Sequence, residues 1–185
     1  TGDVEKFKCR LVAKGYRSVH LWHYDETFSP VANEATIKFL MAYGAANGYN
    51  FTCLDYHGAF VHSEMPEKFE VFIKPPFGLT VPAGKVVKLR KSLYGTKNAG
   101  NIWFKTWKES MLKMGFRQSK YDPCLLIYEK ESKRIYAVCW VDDVTMIDNC
   151  PDFMKNVIAE IQRMGFILSS VGELEFYLGI KCEIS

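Results

Sequence analysis

Apolar residues recur along this chain with two different periods, and the switches between them mark out its elements. From Asn33, a residue suited to capping, Ile37, Leu40, Met41 and Gly44 return at helical spacing until Gly48, which predicts a helix ended by glycine. A strand follows over 50–56, Asn-Phe-Thr-Cys-Leu-Asp-Tyr, and delivers Asp55 at its end. Residues 67–73 and 85–90 read as further short strands, separated by the turn-rich Lys74-Pro-Pro-Phe-Gly78 and Pro82-Ala-Gly84. Over 99–116, Trp103, Trp107, Met111 and Met114 step by three and four, predicting a second helix whose aromatic stripe is core. Residues 124–128 and 135–140 are strand-like, and the second runs into Val141-Asp-Asp143 before the apolar pattern resumes at Val144, so two carboxylates sit at a hairpin tip. Phe153, Val157, Ile161 and Met164 mark a third helix, and residues 172–180 a closing strand or strand pair. Upstream, residues 6–16 alternate bases with apolar positions and end at a glycine, as an exposed basic strand running into a turn would.

Helix, strand, hairpin, helix, strand is the order of a split βαβ, ferredoxin-like unit. The predicted fold is therefore α+β, an antiparallel sheet with helices on one face and the hairpin tip beside the end of the first long strand. No internal repeat or linker interrupts it. At 185 residues and 48% hydrophobic, the chain is long enough for one substantial core with at most a small appended subdomain. Charged residues at 24% and aromatics at 15% exclude a disordered or low-complexity chain. No segment has the uninterrupted apolar length of a membrane span, so no membrane partner is expected. The first six residues contain acids and lack an apolar run, unlike a signal or transit peptide, and the missing initiator Met points to an excised fragment. The formal charge of +3 permits an anionic partner without announcing one. Six scattered cysteines form neither a Cys-x-x-Cys pair nor a zinc-finger spacing, and read as reduced residues of a protein inside the cell.

The chemistry lies in the acids. Adjacent aspartates are poor strand residues, disfavoured by propensity and by mutual repulsion, so exposure in a plain turn or a bound divalent cation must offset the cost. Here the pair crowns a hairpin between two apolar strands, and a third acid, Asp55, ends another strand. Three carboxylates offer hard oxygen ligands suited to Mg²⁺ or Mn²⁺. Two such ions about 3.5–4 Å apart can activate a 3′-hydroxyl and stabilise a pyrophosphate leaving group, which is polymerase chemistry.

Eight blocks, in order along nearly the whole chain, resemble the reverse transcriptase of copia-type LTR retrotransposons. They are Lys8-Cys-Arg-Leu-Val-Ala-Lys-Gly15, Tyr24-Asp-Glu-Thr-Phe-Ser-Pro-Val31, Leu54-Asp-Tyr-His-Gly-Ala-Phe60, Pro75-Pro-Phe-Gly78, Leu89-Arg-Lys-Ser-Leu-Tyr-Gly95, Gly115-Phe-Arg-Gln-Ser-Lys-Tyr-Asp-Pro123, Trp140-Val-Asp-Asp143 and Gly172-Glu-Leu-Glu-Phe-Tyr-Leu-Gly-Ile180. The resemblance implies a right-hand polymerase palm plus partial fingers, with about 1–32 and 61–97 fingers-like and about 33–60 and 98–185 palm-like. It implies that Asp55, Asp142 and Asp143 are the catalytic acids and hold two Mg²⁺ or Mn²⁺ ions. Phe60 falls where the family keeps an aromatic below the incoming sugar, a position from which it would exclude a 2′-hydroxyl; a Phe packed in a strand is the alternative. Lys8, Arg10 and Lys14 fall in the fingers block that meets the triphosphate or template backbone, with a solvated edge strand as the alternative. Tyr94, Gly95, Lys97 and, beside the acids, Trp140 would contact nucleic acid, and Asn98 the nucleotide.

Two segments depart from the family's pattern. Thr96-Lys-Asn-Ala-Gly-Asn101 replaces the usual Leu-Lys-Gln-Ala-Pro-Arg, so Asn98 keeps an amide with one methylene less reach and Asn101 loses a positive charge. Tyr56-His-Gly58 replaces Val-Lys-Asn or Val-Lys-Thr, and places His57 next to the first acid. The implied partners are an RNA or DNA template with its primer, a deoxynucleoside triphosphate and the rest of a polyprotein (thumb, ribonuclease H, integrase), in a cytoplasmic virus-like particle. The thumb and ribonuclease H are expected to lie outside this fragment, which would then hold primer-template poorly. A catalytically silent remnant, keeping the palm as a scaffold or nucleic-acid-binding module, is the competing reading. A generic metal-dependent phosphohydrolase accounts for the acids but not for the other blocks.

Overall fold

A computed structural model describes residues 9–174, 176–177 and 180–181. After a short 3-10 turn at Gly15–Arg17, the chain forms helix α1 (Glu34–Ala46) and strand β1 (Asn50–Tyr56). A second 3-10 turn (Ala59–His62) leads to the two-residue strands β2 (Phe72–Ile73) and β3 (Val87–Lys88), which pair with each other. Helix α2 (Ala99–Lys113) then precedes β4 (Arg117–Gln118), β5 (Leu125–Lys130), β6 (Lys133–Trp140) and β7 (Asp143–Asp148). Helix α3 (Pro151–Arg163), β8 (Leu168–Glu173) and the small pair β9 (Phe176–Tyr177) and β10 (Ile180–Lys181) complete the order.

Six strands make one antiparallel sheet in the order β4-β5-β6-β7-β1-β8. Strand β1 thus lies between the second strand of the hairpin and β8, and the tip of the β6–β7 hairpin lies beside its end. On one face, Tyr56 meets Trp103 of α2 edge-on at 5.1 Å and Tyr128 lies 5.1 Å from Phe153 of α3. Trp103, Trp107 and Met111 are each 1% exposed, so the stripe on α2 is core as its spacing predicts.

Not every helix takes that face. Side chains alternate along a strand, so Phe51 shares its face with Asp55, and Ile147 shares its face with Asp143. α1 packs there, at the far end from the acids: a Cβ on Gly44 would fall 2.6 Å from Phe51 Cζ and 2.9 Å from Ile147 Cγ2. The helix covers the half of the acid-bearing face that holds no acid.

The α1 cap is as its sequence predicts, with the Asn33 side chain accepting from Ala35 N at 2.9 Å. The predicted basic strand over 6–16 is not formed within the described residues 9–14. That segment crosses the 94–97 segment instead, held by one backbone bond from Ala13 N to Tyr94 O. Among the described residues no helix is long and apolar enough to cross a membrane.

Candidate active site

Antiparallel pairing sets Asp55 of β1 directly opposite Asp143 of β7. Residues paired in this way carry side chains on the same face with Cβ atoms about 5 Å apart, a spacing at which like charges repel. Asp142 occupies the two-residue turn between β6 and β7 with Val141, while Trp140 pairs with Asp143 to close it. Val141 has φ +58°, a left-handed conformation that a β-branched residue rarely adopts. What holds it there is its own carbonyl: Trp103 Nε1 donates to Val141 O at 2.6 Å, and Cys139 Sγ donates to the same oxygen at 3.4 Å. The core helix α2 thereby anchors the acidic tip.

The electrostatics match this crowding. Asp143 is exposed as a residue, but partial desolvation of its carboxylate raises its pKa, and the charges of Asp142 and then Asp55 raise it further. Burial, Cys124 and the hairpin acids Asp142 and Asp143 push the Cys139 thiol well up. Among the described residues, no Lys, Arg or His makes an ion pair with any of the three acids. Nor do three metal-ligating side chains converge closely enough there to hold an ion by themselves. Three exposed or half-buried carboxylates without a cationic partner fit a hard cation that takes one or two protein oxygens and completes its shell with water and phosphate.

Several other predicted residues gather around Tyr94. Its ring meets Phe60 at 4.6 Å, and the Arg10 guanidinium lies 5.5 Å over it. Burial first, then the charges of Asp142 and Asp55, raise the Tyr94 pKa, whereas Arg10 lowers it, so this aromatic pair is within electrostatic reach of the acids. Phe60 stands in the 3-10 turn after β1, not in a strand. Gly95 has φ +85°, and a Cβ on it would fall 2.2 Å from Ala13 O; one on Gly15 would fall 1.9 Å from Gly95 O. The two glycines let the segment before the first 3-10 turn cross the 94–97 segment backbone against backbone. Lys14 and Lys97 are exposed, and Lys8 lies outside the described residues.

Asn98 goes elsewhere. It is 3% exposed at the start of α2 and lines a cavity of about 250 Å³ with Asp25, Lys68, Phe69 and Asn101, whose walls include none of the three acids. Asn101 is likewise buried and donates its amide to Phe28 O. His57 contributes backbone contacts, its N–H to Ile167 O and its carbonyl to His62 Nε2.

The residue pattern gives no notice of Ser169, on β8. Its hydroxyl lies 2.6 Å from Asp55 Oδ2 and 3.2 Å from Asp55 O. A serine pair in an exposed strand carries no signal of its own, and the register that brings it to Asp55 is a product of tertiary pairing.

Residues 2–184 match the family described as reverse transcriptase (RNA-dependent DNA polymerase). The chain belongs to this family. It is 29% identical over 182 residues to the retrovirus-related Pol polyprotein from transposon RE1 of Arabidopsis thaliana, covering 98% of this chain and 12% of that protein. It is 28% identical over 179 residues to the Pol polyprotein from transposon TNT 1-94 of Nicotiana tabacum, covering 95% and 13%. The transposon Ty1-ER2 Gag-Pol polyprotein of Saccharomyces cerevisiae is 26% identical over 162 residues, 84% of this chain and 8% of that one. This reverse transcriptase domain therefore spans about an eighth of the length of its plant relatives, and the copia-type resemblance of its eight blocks is borne out.

Proposed function

We propose that this chain supplies the palm and part of the fingers of an RNA-directed DNA polymerase, and that Asp55, Asp142 and Asp143 are its catalytic acids. The observation that carries the reading is the register placing Asp55 opposite Asp143 with Asp142 in the adjoining turn. The neighbour order β6-β7-β1-β8, all antiparallel, also supports a ferredoxin-like palm. Two Mg²⁺ or Mn²⁺ ions, when bound, supply the activation of a primer 3′-hydroxyl and the stabilisation of leaving pyrophosphate. The chain's own part is to concentrate negative charge at one edge of the sheet and to hold Asp142 on an anchored turn. Phe60, set edge-on against Tyr94, forms the floor beneath the deoxynucleotide sugar, and Arg10 and Lys14 meet phosphate. Template, primer and deoxynucleoside triphosphate are the ligands, and the rest of a Pol polyprotein in a cytoplasmic particle is the setting.

Primer extension tests this. A chain lengthened by its downstream polyprotein sequence is expected to extend a DNA primer on RNA with Mg²⁺, and Asp142→Asn to abolish extension. A lengthened chain that folds and binds primer-template yet adds no nucleotide contradicts the reading.

The burial of Asn98 and Asn101 favours a second reading, a silent remnant that keeps the palm as scaffold. The double substitution Asn98→Gln and Asn101→Arg in an inactive lengthened chain is expected to recover extension if the loss of the family's glutamine and arginine at these positions silenced it.

A further inference from the structure

Strand β8 slips by one residue where it passes the candidate acid on β1. Asp55 pairs with Ser170, but Tyr56 pairs with Leu168, so Ser169 is the extra residue of a β-bulge. In an unbroken ladder, Ser170 would share the face of Asp55 and Ser169 would point to the other side. The bulge turns Ser169 back, and its hydroxyl reaches Asp55 Oδ2 at 2.6 Å, the length of a hydroxyl bonded to a charged carboxylate. A hydroxyl carries one proton. The longer contact with Asp55 O, at 3.2 Å, is the weaker claim on it.

We infer that Ser169 is a positioning residue for Asp55: it occupies one carboxylate oxygen and thereby turns the other toward the divalent cation. This rests on the reading of Asp55 as a metal ligand. Asp55 lies opposite Asp143 and, among the described residues, makes no ion pair, so nothing cationic fixes its rotamer. A neutral donor is the partner such a ligand needs, because it fixes the carboxylate without adding a charge that competes with the cation. An exposed carboxylate left free to rotate would lose orientational entropy each time an ion bound.

The plainer account is that Ser169 only closes the bulge against the β1 backbone. The two differ in what its removal changes. Mn²⁺ alone is the probe, titrated into the full chain with free ion read by electron paramagnetic resonance. Ser169→Ala is expected to weaken Mn²⁺ binding by roughly 10-fold or more, the range seen when a ligand's supporting hydrogen bond is removed, and Ser169→Thr to restore it to within about threefold. Thermal unfolding without metal should change little, since Ser169 is exposed. If Ser169→Ala binds Mn²⁺ as tightly as the parent while Asp55→Asn does not, the positioning role is overturned and Asp55 remains a ligand. A Ser169→Thr chain that stays as weak as the alanine variant also overturns it. If Asp55→Asn binds like the parent, the reading of Asp55 itself fails, a result distinguishable from the other two.

Discussion

Single residues explain why this sequence tolerates charge and strain at one place. Asp143 stands among like charges with its carboxylate partly desolvated, and its pKa is raised from the ordinary 3.8. A carboxylate whose folded-state pKa is raised favours the folded state while protonated. Its contribution is therefore present below the unfolded value and lost as pH rises through the folded one. In chelator, Asp143→Asn is expected to raise the thermal midpoint at pH 7 and to flatten its decline as pH rises above the ordinary carboxylate value; solvent screening at this exposed position holds the gain to roughly 1–2 °C. A midpoint that falls at pH 7 would show that the aspartate stabilises the turn instead. Gly95 makes the opposite case, a residue whose importance is steric. The family resemblance of the Leu89 to Gly95 block leads one to expect a nucleic-acid contact there, but its φ of +85° and the Ala13 carbonyl 2.2 Å from an added Cβ give it a structural task. Gly95→Ala should cost about 2–4 kcal/mol in urea unfolding, combining left-handed strain with overpacking. A loss under about 1 kcal/mol would mean that the two segments separate easily.

At the scale of elements, periodicity alone makes most of the framework legible. The predicted strand over 50–56 has the bounds of β1, and the three helical stripes lie on α1, α2 and α3. Segments whose geometry depends on a distant partner are not legible in this way. Residues 9–14 have the alternation of a strand but find no strand to pair with among the described residues, and β4 and the start of β8 exist only because β5 and β1 lie alongside. The stripe on α2 reads as core, which it is, but a stripe does not reveal that one indole N–H reaches a strained turn 38 residues away. Trp103→Phe keeps most of the ring and removes that donor. It should cost about 2–4 kcal/mol through the lost hydrogen bond and the smaller ring. Hydrogen exchange distinguishes anchoring from packing: the Asp142 and Asp143 amides should lose more protection than the rest of the sheet. Uniform loss would leave Trp103 as a core residue only.

Across the whole molecule, the acids are brought together by strands far apart in sequence. Asp55 and Asp143 are neighbours because β1 inserts between β7 and β8, an order that the succession of helices, strand and hairpin makes readable. The bulge at Ser169, the burial of Asn98 and the seat of α1 on the acid-bearing face follow from packing and leave no trace in any local pattern. Such an arrangement stores repulsion in the folded state that the unfolded chain, with its acids dispersed, does not share. A cation that binds only the folded site must then raise the stability of the entire sheet. At an ion concentration about ten times the dissociation constant, one site adds RT ln 11, about 1.4 kcal/mol, which for a domain of this size is a rise of roughly 3–6 °C in the thermal midpoint. Mn²⁺ is expected to produce that rise in the parent chain and in Asp152→Asn, whose carboxylate is exposed on α3, but not in Asp142→Asn. The rise should shrink as pH falls toward the range in which Asp143 takes up a proton, since proton and cation compete for the same oxygens. An equal rise in all three chains would assign the ion to some other surface, and the juxtaposition of Asp55, Asp142 and Asp143 would then be a feature of the sheet with no ligand of its own.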